Sequence, residues 1–419
     1  MKEWLYWFVK ASLILPFRIF IRKIYFDNLE HFPTDKPIFL ASNHPNSFLD
    51  GVIFEHFFNR RIYTLARGDA FLKPLPNYIL RGLRLLPIFR ARDARAEVAR
   101  KGNKQTQDEI LELFKKKHSV LIFCEGTAFP EKTLRPIKKG TANMAIALEK
   151  ESDFQLDLQV VPVAINYSRF GTLRRDIHVS FQKGLAVSEL QSEIEKDEKE
   201  AVQSITTYIK DALSKSVVQT KGDEQELHEN VHHLLTNTNA RTRGFVIKNK
   251  WQTSVAKANK LAKEQLEEIA VYFTKLQELK VKDANVANTS ADFISYFIAI
   301  VTLGVSFPVY VVWMLIWQLV VFLVHKKITN PIFKDSVIVG GGMVLSIFFT
   351  IGVFSVFFNL FDGWFAWVST LLALYGGVCW FRLISDLPVL WSELRYLSFK
   401  DQLRKDLEEE RMRFIRWVS

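Results

Sequence analysis

Residues 37–50 read PIFLASNHPNSFLD, which is an apolar run followed by a turn and the beginning of a helix. The apolar run predicts a short buried strand, and the proline, asparagine and serine after it favour a sharp turn. His44 and Asp50 lie within this short segment, so the carboxylate can hold the imidazole in one tautomer and stabilise its protonated form. An imidazole held in this way can take a proton from a hydroxyl group.

Three further strand-like runs follow, and each ends in polar or turn-forming residues. They are LLPIFR at 85–90, VLIFCEGT at 120–127 and VVPVAINY at 160–167. In this order the four blocks resemble the glycerolipid acyltransferase superfamily, whose members transfer fatty acyl groups from a thioester to glycerol phosphate or lysophosphatidate. The resemblance extends over residues 30–185 and says nothing about the rest of the chain.

The resemblance implies a role for each residue of the four blocks. His44 is expected to deprotonate the acceptor hydroxyl, and Asp50 to orient His44 and offset its developing charge. The residues expected to bind substrate are Asn43, Arg90, Glu125, Gly126 and Thr127. Asn43 either holds the turn or donates to the oxyanion, and Arg90 can bind a phosphate through two hydrogen bonds. Gly126 lets the backbone approach the substrate.

Two features depart from the usual family pattern. Five residues, 45–49, separate His44 from Asp50 where most relatives have four. This spacing is similar to that of the yeast-type glycerol-3-phosphate and dihydroxyacetone-phosphate acyltransferases. In the third block Cys124 replaces a proline and Ala128 replaces an arginine. Phosphate binding therefore needs other cations, and the candidates are Arg67, Arg135, Lys138 and Lys139.

Short apolar segments alternate with helical segments in this part of the chain. Strands are predicted at 37–42, 62–66, 85–89, 119–123, 158–166 and 176–181. Helices are predicted near 48–58, 72–83, 93–117 and 138–150. This alternation predicts an α/β domain over 28–185, with a mostly parallel mixed sheet flanked by helices. Ligands bind beyond the carboxyl ends of the strands in such sheets, so His44 and Glu125 are expected at one rim.

The composition indicates an anionic partner. The net charge is +11 and the sequence pI is near 9.4, which suits nucleic acid, membrane lipid or a phosphorylated substrate. Long apolar segments, 13% aromatic residues and the lack of a nucleic-acid-binding motif favour lipid and phosphorylated substrate. We therefore expect membrane lipids as partners and no nucleic acid.

Cysteine and histidine usage predicts neither a disulfide framework nor a metal site. Only Cys124 and Cys379 occur, which fits a reducing cytosolic setting. His228 and His232 have metal-ligand spacing on a helix, but their neighbours favour a solvated face. No cofactor is expected beyond acyl-CoA or acyl carrier protein as the acyl donor.

Outside the α/β domain the chain divides by hydropathy and charge. Residues 1–27 are apolar and aromatic but interrupted by charges, which favours an interfacial helix. The remaining predicted segments are a charged helical extension ending in a juxtamembrane helix at 186–290, a transmembrane domain at 291–385 and a charged tail at 386–419.

The number of spans depends on the apolar block 293–324. If it turns back near Pro308 there are four spans, and the basic residues then lie on the catalytic, cytoplasmic side, as the positive-inside rule favours. A single tilted helix there gives three spans. Either arrangement predicts an integral membrane protein.

These features together predict a membrane-bound acyltransferase for glycerol 3-phosphate or 1-acylglycerol 3-phosphate in phospholipid biosynthesis. Two alternatives remain open. The acceptor could be another lysophospholipid or lipid head group, which replacing Arg90 would test. The chain could also be an inactive scaffold or a transporter subunit, but intact His44 and Asp50 argue against this, as does the scarcity of charge within the spans.

Overall fold

The computed structural model describes most of the chain. The described residues are 3–90, 95–171, 173–219, 227, 230, 231, 234, 235, 246–248, 252–287 and 293–418. His228 and His232, which the sequence places at metal-ligand spacing, lie outside this set.

A mostly parallel sheet forms the centre of the α/β domain. Its strands are β1 Ile21–Asp27, β2 Ile38–Ser42, β3 Ile62–Arg67, β4 Leu85–Ile88, β5 Ser119–Phe123, β6 Gln159–Tyr167, β7 Arg175–Phe181, β8 Leu185–Ala186 and β9 Val246–Lys248. The order is β4-β3-β5-β2-β6-β7-β1-β9, and β8 pairs with β6. The described pairs are parallel except for those that β6 makes with β7 and β8. The predicted fold class is confirmed.

Helices cover both faces of the sheet and form the C-terminal part of the chain. In chain order they are α1 Glu3–Ser12, α2 Ile14–Phe20, α3 Phe48–Phe57, α4 Pro74–Gly82, α5 Ala96–Lys115, α6 Gly140–Glu151, α7 Gln191–Lys196, α8 Glu198–Ser214, α9 Gln252–Ala258, α10 Lys263–Glu278, α11 Asp283–Val286, α12 Phe293–Val301, α13 Leu303–Lys327, α14 Pro331–Leu360, α15 Trp364–Leu397 and α16 Asp401–Val418. Side chains from α2 and α3 join one buried cluster, which continues into α13 and α14. Side chains from α5, α6 and α8 fill the core on the other face.

The predicted boundary at residue 27 is wrong. Helix α2 ends at Phe20, and residues 21–27 form strand β1 between β7 and β9. Ile24 and Tyr25 are almost fully buried there, because β-branched and aromatic residues pack well against neighbouring strands. The α/β domain therefore begins before residue 28. Strand β9 also lies within the segment 186–290 that was predicted to be helical.

The C-terminal segment is folded rather than a free charged tail. Helix α15 continues past the predicted boundary at 385 to Leu397, and α16 packs on α9 and α11. Leu407 and Phe414 of α16 are buried, and Arg411 pairs with buried Asp283 at 2.8 Å. The apolar residues of the tail recur on one helical face, so burial on a neighbouring helix stabilises this charged segment.

Three helices in the described part of the chain are long and apolar enough to cross a membrane. They are Ser306–Lys327, Ile332–Leu360 and Trp364–Leu397. The apolar block 293–324 is interrupted at Thr302, and Pro308 lies inside the continuous helix α13. No reversal occurs at Pro308, because a proline removes one backbone hydrogen bond from a helix without requiring the chain to turn back.

Candidate active site

The pair predicted from the sequence forms where β2 meets α3. His44 Nδ1 lies 2.9 Å from Oδ2 of Asp50. The Asp50 side chain is fully buried, whereas that of His44 is 16% exposed. With Nδ1 occupied by the carboxylate, Nε2 is the ring nitrogen that can meet a substrate.

Asp50 accepts two further hydrogen bonds. The Asn46 N–H donates to Oδ2 at 2.7 Å, and the Tyr167 hydroxyl donates to Oδ1 at 2.7 Å. Burial, followed by the Asp50 charge, raises the pKa of Tyr167, so its hydroxyl remains a donor. Asp50 also lies in the first turn of α3, where the helix dipole favours a negative charge. The carboxylate is therefore fixed from three sides.

The third block supports the backbone of His44. The His44 N–H donates to Oε2 of Glu125 at 2.9 Å, and the Arg135 N–H donates to Oε1 at 2.9 Å. The His44 carbonyl accepts from the Phe129 N–H at 3.0 Å. Burial raises the pKa of Glu125, while the hydrogen bonds from the Arg135 and His44 N–H groups oppose the rise. Glu125 thus connects the turn that contains His44 to the loop after β5.

The side chain of Asn43 fixes the start of the turn. Its Nδ2 donates to the Ile165 carbonyl at 2.9 Å, and its Oδ1 accepts from the Ile165 N–H at 2.7 Å. Both polar atoms of the amide therefore contact β6. In this structure Asn43 holds the turn, which is one of the two roles considered from the sequence.

The imidazole plane and the turn itself are also constrained. The His44 ring stacks on Phe123, with centroids 3.8 Å apart and planes 9° apart. Ser47, directly before α3, has φ +48° and ψ −131°, a conformation that non-glycine residues rarely adopt and that concentrates at functional sites. This conformation of Ser47 lies within the five-residue turn that connects His44 to Asp50.

A cavity of about 1160 Å³ adjoins His44. Apolar residues supply much of its wall, including Val52, Leu80 and Ile88. Asn330, Ile332 and Phe333, from the start of α14 and the residue before it, also line it. The volume exceeds that of a typical small-molecule pocket, so the cavity has room for a substrate larger than a single head group.

Three of the predicted cations line this cavity with His44, namely Arg67, Arg90 and Lys138. Arg90 Nη1 donates to the Gly126 carbonyl at 2.9 Å. Lys138 packs beside Gly126, where a Cβ would lie 3.6 Å from its Cγ. Arg67 is exposed and pairs with Asp69. Arg90 and Lys138 thus flank the same glycine.

The remaining predicted residues lie on the loop after β5 and at the start of α6. Gly126 has φ +72°, which glycine adopts at little cost. The Thr127 hydroxyl donates to the Gly126 carbonyl at 2.7 Å. Arg135 stacks on Phe129 and pairs with Glu131. Lys139 precedes α6 and, like Arg135, is not among the cavity-lining residues.

The surroundings of Cys124 do not favour a thiol nucleophile. Cys124 is buried and its Sγ lies 3.0 Å from the Ser42 carbonyl. Burial, followed by the Glu125 charge, raises the pKa of this thiol, which is the wrong direction for a nucleophile. Among the described residues no group of three or more His, Cys, Asp or Glu side chains could hold a metal ion.

Sequence reasoning missed four residues around the pair: Phe123, Tyr167, Arg175 and Asp335. Tyr167 ends the fourth block, and its place at the carboxyl end of β6 could have indicated a position near His44. Asp335 is the only acidic residue in the apolar segment 331–360. An isolated carboxylate there is itself a signal of function. No comparable signal marks Phe123 or Arg175.

Comparison with known proteins covers the α/β domain. Residues 23–166 match the family model described as Acyltransferase. The chain is also similar to the solved structure of the 1-acyl-sn-glycerophosphate (LPA) acyltransferase PlsC from Thermotoga maritima. The identity is 14% and the TM-score 0.34, over 51% of this chain and 78% of that one. No curated protein matches the chain.

Proposed function

We propose that this chain, whose residues 23–166 belong to the acyltransferase family, is a membrane-bound O-acyltransferase of phospholipid biosynthesis. The reaction moves a fatty acyl group from an acyl thioester to the hydroxyl of glycerol 3-phosphate or 1-acylglycerol 3-phosphate. One observation carries the proposal: His44 borders a large cavity while its Nδ1 is held 2.9 Å from the buried carboxylate of Asp50.

His44 acts as the general base of this reaction. Nε2 removes the proton from the acceptor hydroxyl while the hydroxyl oxygen attacks the thioester carbonyl, and a C–O bond forms. The tetrahedral intermediate then collapses, the C–S bond breaks, and the proton on His44 passes to the departing thiolate. Asp50 keeps Nδ1 protonated and stabilises the imidazolium between the two steps. The products are an ester and a free thiol, so atoms and charge balance.

The cations around Gly126 support a phosphorylated acceptor. Arg90 and Lys138 flank Gly126 and line the cavity that His44 borders. A phosphate bound there would be close to two positive charges and to a backbone turn that only glycine adopts easily. The proposed acceptor therefore carries a phosphate monoester. Arg67 is a weaker candidate because Asp69 already offsets its charge.

The spanning helices support a lipid substrate. Ile332 and Phe333, at the start of the apolar helix α14, form part of the cavity wall. An acyl chain in the bilayer could therefore approach His44 along apolar surface. We assign the catalytic domain to the cytoplasmic face, where acyl-CoA or acyl carrier protein would supply the acyl group, and the mechanism requires no other cofactor.

The test is acyl transfer by the full-length protein in lipid vesicles. Labelled acyl-CoA and acyl carrier protein thioester are offered in turn, each with glycerol 3-phosphate, 1-acylglycerol 3-phosphate or a lysophospholipid that lacks a phosphate monoester. Wild type is compared with His44→Ala and with His118→Ala. His118 is a matched control because it precedes β5, at the opposite end of the strand from the site.

Product from a phosphate-monoester acceptor that His44→Ala abolishes and His118→Ala retains would support the proposal. Product only from the other lysophospholipid would favour the alternative acceptor class. No product from any pair of substrates, with the protein folded, would reject the enzyme and favour an inactive scaffold.

A further inference from the structure

Asp335 is a buried carboxylate at the beginning of an apolar helix. It lies in the second turn of α14 and is 3% exposed. Removing a carboxylate from water is unfavourable unless it gains an ion pair and hydrogen bonds. The residues that satisfy Asp335 are therefore informative about what this position does.

The contacts of Asp335 come from the α/β domain. Arg175 Nη2 donates to Oδ1 at 3.0 Å, and Nη1 forms an ion pair with Oδ2. The Asn46 side chain donates to Oδ2 at 2.9 Å, and the Gly171 N–H lies 3.4 Å from the same oxygen. Arg175 is 1% exposed. A spanning helix and the α/β domain therefore share a buried, hydrogen-bonded ion pair.

Asn46 connects this ion pair to the catalytic residues. Its side chain donates to Asp335, while its backbone N–H donates to Oδ2 of Asp50 at 2.7 Å. The same carboxylate oxygen lies 2.9 Å from Nδ1 of His44. Hydrogen bonds thus run without interruption from Asp335 through Asn46 and Asp50 to the imidazole.

We propose that Asp335 is a positioning residue for the His44–Asp50 pair, so that the membrane domain completes the active site. By fixing the Asn46 side chain, Asp335 orients the peptide whose N–H holds the Asp50 carboxylate. Asp335 is not among the residues that line the cavity, so it acts through Asn46 and not on substrate. The inference rests on the proposed role of His44 as base.

A neighbouring ion pair provides a matched control. Arg174 lies beside Arg175 in the sequence and pairs at 3.3 Å with Asp386 of the spanning helix α15. This second pair also joins the α/β domain to the membrane domain, but its hydrogen bond does not involve the turn at 43–50. Removing the Arg174–Asp386 pair therefore tests whether any loss of activity comes from weaker anchoring of the membrane domain or from a change in the turn at 43–50.

The experiment measures kcat and acceptor KM for five full-length proteins in vesicles: wild type, Asp335→Asn, Asn46→Ala, the double variant and Asp386→Asn. Asp335→Asn and Asn46→Ala should each lower kcat about 10- to 100-fold with little change in acceptor KM, because they misplace the base and leave the cavity intact. Asn46→Ala keeps the Arg175–Asp335 pair, so its result stands even if Asp335→Asn folds poorly.

Two further comparisons make the test specific. The double variant should be no slower than the slower single variant, since both changes interrupt one hydrogen-bonded path. Asp386→Asn should keep kcat near that of wild type. Equal loss in Asp386→Asn, or unchanged kcat in Asn46→Ala, would overturn the inference while the proposed function stands.

A readout independent of turnover separates failure of the inference from failure of the proposed function. If wild type acylates none of the acceptors, the proposed function fails, and deuterium uptake by the 44–50 segment then decides the inference. Faster uptake in Asp335→Asn and Asn46→Ala, but not in Asp386→Asn, would show that Asp335 orders the turn. Deuterium uptake equal to that of wild type in all variants would overturn the inference that Asp335 positions the pair.

Discussion

The Tyr167 hydroxyl donates to Oδ1 of Asp50 at 2.7 Å, on the oxygen that His44 does not contact. Tyr167 ends β6 and His44 follows β2, and these strands are parallel neighbours in the sheet. The two carboxylate oxygens of Asp50 therefore have separate partners. Oδ2 contacts the His44 imidazole and the Asn46 N–H, and Oδ1 contacts the Tyr167 hydroxyl from the neighbouring strand.

Tyr167→Phe should weaken the positioning of Asp50 without removing it. A hydrogen bond to a charged group contributes about 1.5–3 kcal/mol. If about half of that were lost only in the transition state, kcat would fall roughly tenfold. Acceptor KM should change little, because Tyr167 is not among the cavity-lining residues. Steady-state kinetics in vesicles with varied acceptor would measure both constants.

Tyr25→Phe is the control for this change. Tyr25 is 1% exposed on β1, and its hydroxyl has no hydrogen-bond partner among the described residues. Removing it should leave kcat and thermal stability unchanged or slightly raise stability. If Tyr25→Phe lowered kcat as much as Tyr167→Phe, the effect would reflect a general loss of a buried hydroxyl and not the Asp50 contact.

Asp50→Asn should nearly abolish turnover while the fold is retained. An asparagine cannot stabilise the imidazolium and can hold His44 in the wrong tautomer, and the equivalent change in serine proteases lowers kcat about 10⁴-fold. Radiolabelled product formation under saturating substrates would measure the loss. Adding His44→Ala to Asp50→Asn should cause no large further loss, because residues acting as a unit are strongly non-additive. If the loss in the double variant equalled the product of the losses in the two single variants, His44 and Asp50 would not act as a unit.

Lys138→Met and Lys139→Met form a matched pair for the acceptor phosphate. Both lysines are exposed, but Lys138 lines the cavity beside Gly126 and Lys139 does not. Losing one charge-assisted contact of about 1.5–3 kcal/mol should raise acceptor KM roughly 10- to 100-fold in Lys138→Met. Lys139→Met should behave like wild type. Equal KM values for the two variants would place the phosphate elsewhere.

Glu55 should make stability depend on pH. Its side chain lines the cavity, and burial raises its pKa from the ordinary 4.5 to about 8. Between these values the folded protein binds the proton that the unfolded chain has released, so the Glu55 contribution falls as the pH rises from 4.5 towards 8. Glu55→Gln should remove this part of the slope, which thermal unfolding in detergent across that range would measure.

The comparison for Glu55 is Glu109→Gln. Glu109 is partly exposed and pairs with Arg81 at 2.7 Å. Glu109 does not line the cavity, so its replacement controls for the loss of a carboxylate elsewhere in the protein. If Glu55→Gln and wild type had the same slope, the Glu55 carboxyl would titrate near its ordinary pKa in the folded protein.

The strands and the contact between His44 and Asp50 were predictable because their signals are local. Apolar runs such as 38–42 and 119–123 contain β-forming residues and end in turn residues, and both are strands in the structure. His44 and Asp50 are six positions apart, so the chain itself keeps them close. The boundary at residue 27 was wrong because Ile21–Asp27 follows an aromatic helix, and only pairing with β7 identifies it as a strand.

The partners of the pair were not predictable in this way. Tyr167 is 117 positions from Asp50, and Asp335 is 289 positions from Asn46. The sequence can mark Tyr167 as a residue at a strand end and Asp335 as an isolated carboxylate. Nothing local identifies their hydrogen-bond partners, because these contacts depend on sheet order and on helix packing. The sequence also assigned Asn43 two possible roles, and the contact with Ile165 across β2 and β6 favours one of them.

The sequence by itself determined the α/β class, the proximity of His44 to Asp50, and the apolar segments that suit a bilayer, since periodicity, turn chemistry and hydropathy are properties of short segments. Tertiary structure decided that β6 delivers Tyr167 to Asp50 and that α14 delivers Asp335 to Asn46. It also decided which cations share the cavity with His44. These contacts arise from the packing of elements that are distant in the sequence. Packing buries their polar side chains together, and in a buried network each hydrogen bond depends on the others.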